Sequence, residues 1–259
     1  MSAIPQERAE LESLVRTPYI NVLTYPKISL RSANLRIKQL KSLGVRALLF
    51  EGRTKVGRLG LLGLGTVSVV VSAETEGGVL ALKIRRTDAN RPSMDEEWRL
   101  ASLANRVGVG PQVVSHSRDF MLMKRLDYVE LYEWFKGLKG PGTRAAAREM
   151  VHRVLNQCRK LDIIGLDHGQ LSNLRKHVVV ADGLPWIIDF ESSATTRRPK
   201  NVTAAAQNLF IGGRMSALVR RLTGVREPEM MRALLSEYKK DESDICYARI
   251  LEALGIQAG

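Results

Sequence analysis

Apolar residues recur at two different periods along this chain, and the change of period divides it. Between residues 45 and 124 the apolar runs are short, β-branched and bounded by turn residues. The stretches 45–51, 67–72, 79–84, 112–115 and 120–123 therefore read as strands. The run 74–78, ending in Gly77 and Gly78, reads as the turn of a hairpin between the second and third of them. From residue 128 onward the period becomes helical. Helices are expected over 129–138, 143–162, 203–222, 227–238 and 242–254, interrupted by a short strand pair at 178–181 and 186–188. A further helix is expected from residue 93, and two more, over 6–16 and 29–43, precede the strands. In 29–43, Leu30, Ala33, Ile37, Leu40 and Leu43 form one stripe, and Gly44 suits the stop. The pattern predicts an α+β protein with a β-rich first lobe over 45–125, a helical second lobe over 126–259 and a cleft between them. Residues 1–44 are expected to be a helical extension packed on the first lobe; a degenerate helix-turn-helix is the alternative.

Composition adds one constraint. With 259 residues, 44% of them hydrophobic, the chain can build two modest cores. Its 40 Lys and Arg against 27 Asp and Glu give a net charge of +13. That excess suits a polyanionic partner, such as a nucleotide, RNA, a ribonucleoprotein or an acidic protein; a basic solvated surface is the alternative. Cys158 and Cys246 belong to no metal-ligand spacing, so no zinc site is expected. The first residues lack the apolar core of a signal peptide, and no run of 18 apolar residues occurs. A cytoplasmic protein without a membrane partner is expected.

Four local features carry chemistry. The first is the run Gly63-x-Gly65-x-x-Ser68-x-Val70. Glycines let a backbone approach phosphate oxygens, and Ser68 stands at a third glycine's place. A dinucleotide-binding turn would open a helix, whereas a strand follows here, and the Gly-Lys of a Walker loop is missing. A plain glycine hairpin remains open. The second is Lys83, alone in the apolar strand 80–84, where an ammonium needs an anionic partner. Glu97 is the expected carboxylate, since it shares a helical stripe with Leu100, Ala101 and Ala104. Glu96 is the alternative, although Ser93-Met-Asp-Glu96 has capping-box spacing. The third is Asp189, closing the strand from Trp186, where a carboxylate suits magnesium bound to phosphates. The fourth is Thr195-Thr-Arg-Arg-Pro-Lys200, whose three cations suit an acidic or phosphorylated substrate or a solvated loop.

In this order, with the segments 81–97, 105–114, 166–173, 176–180 and 187–193, these residues resemble the minimal protein-kinase-like enzymes: the RIO kinases and the kinase subunit of the KEOPS tRNA-modification complex. The archaeal predicted serine/threonine protein kinases are the most similar group, over about 57–212. The resemblance implies a bilobed fold that binds ATP and Mg²⁺. It implies nucleotide contacts at Gly63, Gly65, Thr66, Ser68 and Val70 of the glycine turn, at Ala81 and Lys83, and at Met123, Lys124 and Leu126 beside the adenine. The catalytic set would be Lys83, Glu97, Asp167, Gln170 and Asp189, and the metal set Asn173, His177 and Asp189. The loop His168-Gly-Gln170-Leu-Ser-Asn173 departs from the His-x-Asp-x-x-x-x-Asn pattern. Gln170 stands where the aspartate is usual and cannot accept a proton, which leaves Asp167 as the nearby carboxylate. Asn173 and His177 are both open as the second ligand, Lys176 or Arg175 would meet the γ-phosphate, and His168 would organise the loop. An atypical serine/threonine kinase or ATPase, a nucleotide-binding pseudokinase and an RNA-associated factor all follow from these residues.

Overall fold

A computed structural model describes residues 7–225 and 227–255. Residue 6 of the expected first helix, residues 1–6 of the expected extension, and residues 226 and 256–259 of the second lobe lie outside it. The described chain is α+β, with a mostly antiparallel sheet and ten α-helices. It falls into two compact units. One is built on the chain up to Ser102 and on Pro111–Leu126; the other is built on Leu103–Gly110 and the chain from Asp127. Among the described residues no helix is long and apolar enough to cross a membrane.

The first unit is organised by its strands: β1 (Glu7–Glu10), β2 (Val45–Phe50), β3 (Thr54–Val56), β4 (Leu59–Leu61), β5 (Gly63–Leu64), β6 (Ser68–Thr75), β7 (Gly78–Arg85), β8 (Val113–Ser117) and β9 (Phe120–Met123). Strands β1, β2, β6, β7, β9 and β8 lie side by side in that order, β5 adds to β6, and β3 pairs with β4 in a separate hairpin. The β6–β7 hairpin turns as expected, with Thr75 opposite Gly78. Alternation sorts the two faces. Val69, Val71, Leu82, Ile84, Phe120 and Leu122 pack into one core with Leu48 and Phe50.

The N-terminal segment shares that core, and the expected helix over 6–16 is replaced. Glu7–Glu10 is a strand on the edge of β2, followed by a 3-10 turn over Leu11–Val15 and the short helix α1 (Tyr19–Leu23). Ladder bonds to β2 along all four residues outweigh the helical preference of so short a stretch. The helix α2 (Leu30–Ser42) has a Ser29 cap. Its buried face also differs from the apolar stripe: Leu30 is exposed, and Arg36 is buried with Ala33 and Leu40. The two terminal nitrogens of Arg36 donate to the carbonyls of Leu23 and Arg85, each at 2.6 Å, and one of them also pairs with Asp119. Desolvation raises the Asp119 carboxyl, but the Gln39 hydrogen bond and the Arg36 and Arg85 charges prevail and hold it below its usual pKa. The third helix, α3 (Asp95–Arg106), carries three carboxylates in its first turn.

The second unit is mostly helical: α4 (Leu131–Gly137), α5 (Thr143–Ile163), α6 (Leu174–His177), α7 (Asn201–Phe210), α8 (Gly213–Thr223), α9 (Pro228–Lys240) and α10 (Asp244–Ala253). Strands β10 (Val129–Glu130), β11 (Val178–Ala181) and β12 (Leu184–Ile187) form a small antiparallel sheet. Helix α5 is its spine, because Ala147, Met150, Val151, Val154, Leu155, Cys158 and Leu161 fall on one stripe and are all buried. The single helix expected over 203–222 is two. Gly213 has a positive φ of 81°, and the chain breaks between Phe210 and Gly213.

Candidate functional site

In the first unit the register gathers Gly63, Val70, Ala81, Lys83 and Met123 of the expected nucleotide contacts on one face of the sheet, opposite the apolar core; Gly65, Thr66, Lys124 and Leu126 lie outside the strands. Gly63 lies across from Val70, Val70 from Lys83, and Lys83 from Met121. Two residues along, Ala81 lies across from Met123 on the same face. Lys83 is only 4% exposed and Glu97 only 2%. Lys83 Nζ stands 2.5 Å from Glu97 Oε1, so the strand lysine and the helix carboxylate form a buried ion pair. Arg91 adds a weaker approach to Glu97 at 3.7 Å. Glu96 instead pairs on the surface with Arg99. The capping box is not formed either, since Ser93 Oγ accepts from the Asp95 N–H.

The glycine turn is short. The Gly65 N–H donates to the Ser68 carbonyl at 2.8 Å, which closes the link from β5 into β6. Gly65 and Thr66 are exposed at its tip, while Ser68 is buried where β6 begins. The Lys124 N–H donates to the Gln112 carbonyl, which fixes the chain leaving β9 toward Leu126.

In the second unit the loop 167–173 is held from below by α7. The Asn201 carboxamide joins three segments. Its Oδ1 accepts from the His168 N–H, and its Nδ2 donates to Asp162 Oδ1 and to the Leu166 carbonyl. Asp162 accepts in addition from the backbone of Asn201 and Val202, which occupies the first turn of α7. Burial raises the Asp162 carboxyl above its usual pKa, and these donors moderate the rise. His168 is fully buried between His177 and Phe190. Its Nε2 lies 3.1 Å from the Ile188 carbonyl and must be the protonated nitrogen there, because a carbonyl only accepts. Desolvation pushes its pKa down to about 4. At neutral pH it is an uncharged scaffold of the loop.

Asp167 is buried, pairs with Arg197, and also accepts from the Lys200 N–H. The Gln170 carbonyl accepts from the Asn173 N–H, and the Asn173 carbonyl accepts from the Lys176 N–H. The Asn173 side chain is exposed, and the Arg175 guanidinium lies over the Tyr132 ring at 4.7 Å. Asp189 follows β12 with a positive φ of 71°, a backbone region that few non-glycine residues adopt and that clusters at functional sites. Its carboxylate stands 3.9 Å from His177 Nδ1. Among the described residues no three His, Cys, Asp or Glu side chains group as an all-protein metal cage. Phosphate-bound magnesium does not need one, because it keeps waters and takes one or two carboxylates. Asp189 fits that role, and the Asn173 carboxamide offers an oxygen. The His177 imidazole is a poor match for a cation that prefers oxygen.

The cations expected near the site are partly engaged. Arg197 neutralises Asp167 and Arg198 pairs with Glu242, which leaves Lys200 of that segment. The Asp162–Asn201 clamp has no local signature in the sequence. Arg232 and Lys239 of α9 do have one, their spacing on one helical face.

No family model matches the chain. Over 94 residues it is 31% identical to the uncharacterized protein MJ1211 of Methanocaldococcus jannaschii, a stretch that covers 36% of this chain and 80% of that protein.

Proposed function

The chain belongs to the family of that uncharacterized archaeal protein, and for this member we propose an ATP- and Mg²⁺-dependent phosphotransferase with a protein-kinase-like bilobed fold. Its acceptor is a serine or threonine of a protein. The observation that carries the reading is the buried pair of Lys83 and Glu97. Two charges taken out of water gain little stability over apolar residues of the same size, so such a pair calls for a further purpose. A lysine oriented by a helix carboxylate, on the sheet face that also bears Val70, Ala81 and Met123, is suited to hold nucleotide phosphates. Gly63, Gly65 and Thr66 supply a turn that a phosphate group can approach closely. Asp189 is assigned to the magnesium, with Asn173 as the second oxygen ligand and His177 as a neighbour of Asp189. Bound Mg²⁺–ATP supplies the phosphoryl group; the chain's own residues orient it and neutralise its charge. His168 and Asn201 keep the loop 167–173 in shape. Radiolabelled phosphate transfer tests the reading: Lys83→Ala and Asp189→Ala should each abolish it, and transfer that survives both substitutions contradicts it.

One observation favours a second reading, a nucleotide-binding pseudokinase that associates with RNA or a ribonucleoprotein. Gln170 cannot accept a proton, and the nearby carboxylate, Asp167, is engaged by Arg197. Thermal stabilisation by ATP and Mg²⁺ without hydrolysis selects this reading; turnover selects the first.

A further inference from the structure

We propose that the second unit carries a binding site for a phosphomonoester, so that the acceptor is a molecule already bearing a phosphate group. The inference rests on the reading of 167–173 as the loop that presents the acceptor.

A cavity of about 460 Å³ opens between that loop, α7 and α9. Gly169 and Ser172 of the loop line one side, and Lys200 lies at the start of α7. Arg232, Ser236 and Lys239 line the other side, at helical spacing that puts them on one face of α9. Three cations thus surround one space. Arg232 has a partner on its own helix in Glu229. Among the described residues, Lys200 and Lys239 have no carboxylate within ion-pair distance. Asp167 is the carboxylate in the wall, and Arg197 neutralises it. The cavity is therefore positive, and an anion completes it.

The chemistry of the lining narrows the anion. The first N–H groups of α7 are occupied by Asp162, and the N–H of Lys200 by Asp167, so the helix terminus holds nothing. Recognition falls to ammonium, guanidinium and hydroxyl groups converging from different segments. A phosphomonoester, with close to two negative charges and three acceptor oxygens, satisfies several such donors at once; a carboxylate offers one charge and two oxygens. The volume exceeds a bare phosphate and admits the group that carries it. The Ser172 carbonyl accepts from Asn208 Nδ2 at 2.7 Å, which pins the loop beside the cavity.

The test follows backbone amide shifts of the full chain during titration with inorganic phosphate, phosphoserine and acetate. Phosphate and phosphoserine should saturate and shift amides in 169–172 and 232–239, and acetate should bind at least tenfold more weakly. Lys200→Ala with Lys239→Ala should weaken phosphoserine at least tenfold. Both lysines are exposed, so the variant should keep its melting midpoint and its thermal response to Mg²⁺–ATP. Shifts that do not saturate, or affinity unchanged in the double variant, overturns the site. If phosphate behaves as expected but Mg²⁺–ATP stabilises neither protein, the anion site stands and the phosphotransfer reading falls. A phosphoserine peptide that binds tenfold more tightly than free phosphoserine assigns the group to a protein; equal affinity assigns it to a small molecule.

Discussion

At position 83 an ammonium sits at 4% exposure against a carboxylate at 2%. Lys83→Met removes the charge, keeps the apolar stem, and leaves Glu97 with Arg91 at 3.7 Å. Breaking one side of such a pair costs about 3 kcal/mol or more. We expect urea unfolding to show that loss for Lys83→Met, with part of it recovered by adding Glu97→Leu. Additive effects in this double-mutant cycle would mean that the pair is not coupled. Asp119 gives a second prediction. Its folded pKa lies below the usual 3.8, so its contribution to stability is full above that value and fades as pH falls through the folded pKa. Asp119→Asn should be less stable at neutral pH and lose less stability as the pH falls below 3.8; parallel profiles would contradict this. The two sites also differ in legibility. Glu97 could be chosen over Glu96 because helical spacing put it with Leu100 and Ala101, both of which are buried. Arg36 could not be read as buried, because its main partners are backbone carbonyls, which leave no mark in side-chain pattern.

At the scale of elements, periodicity was informative wherever a long stripe existed. The stripe of α5, the β6–β7 hairpin and β11 stand close to where the pattern put them. It misled where tertiary pairing or a single glycine decided. Glu7–Glu10 is a strand because β2 offers it an edge, and Gly213 splits the helix expected over 203–222. The clamp at the start of α7 yields a prediction of its own. Asn201→Ala removes the acceptor of the His168 N–H and two donated hydrogen bonds, all buried. A cost of about 2–4 kcal/mol is expected, read as a melting midpoint lower by roughly 4–10 °C. An unchanged midpoint would mean that α7 does not hold the loop. Gly169 has a positive φ of 83°, and a side chain there would meet the Ser192 carbonyl at 2.7 Å as well as Arg197. Gly169→Ala should therefore disturb the Arg197–Asp167 pair and lower the melting midpoint; an unchanged midpoint would contradict this.

For the whole molecule, the +13 charge is the feature that no local element explains. If it serves a polyanion, affinity for tRNA or rRNA in filter binding should fall steeply as salt rises; affinity indifferent to salt would leave the charge as a solvated surface. The molecule's α+β character was legible, since strand-like and helix-like periods occupy different halves of the chain. Residues 1–44 were expected to pack on the first lobe, and among the described ones Leu11, Leu14, Ile20 and Leu23 lie in the core of its sheet; the strand Glu7–Glu10 was not legible, because its partner β2 lies far along the chain. The central claim, that Lys83 serves a nucleotide, meets its most direct test in calorimetric titration of Mg²⁺–ATP. The native chain should bind one equivalent only when Mg²⁺ is present, and Lys83→Met, folded by circular dichroism, should bind none. No binding by the native chain, or equal binding by the variant, would contradict the account.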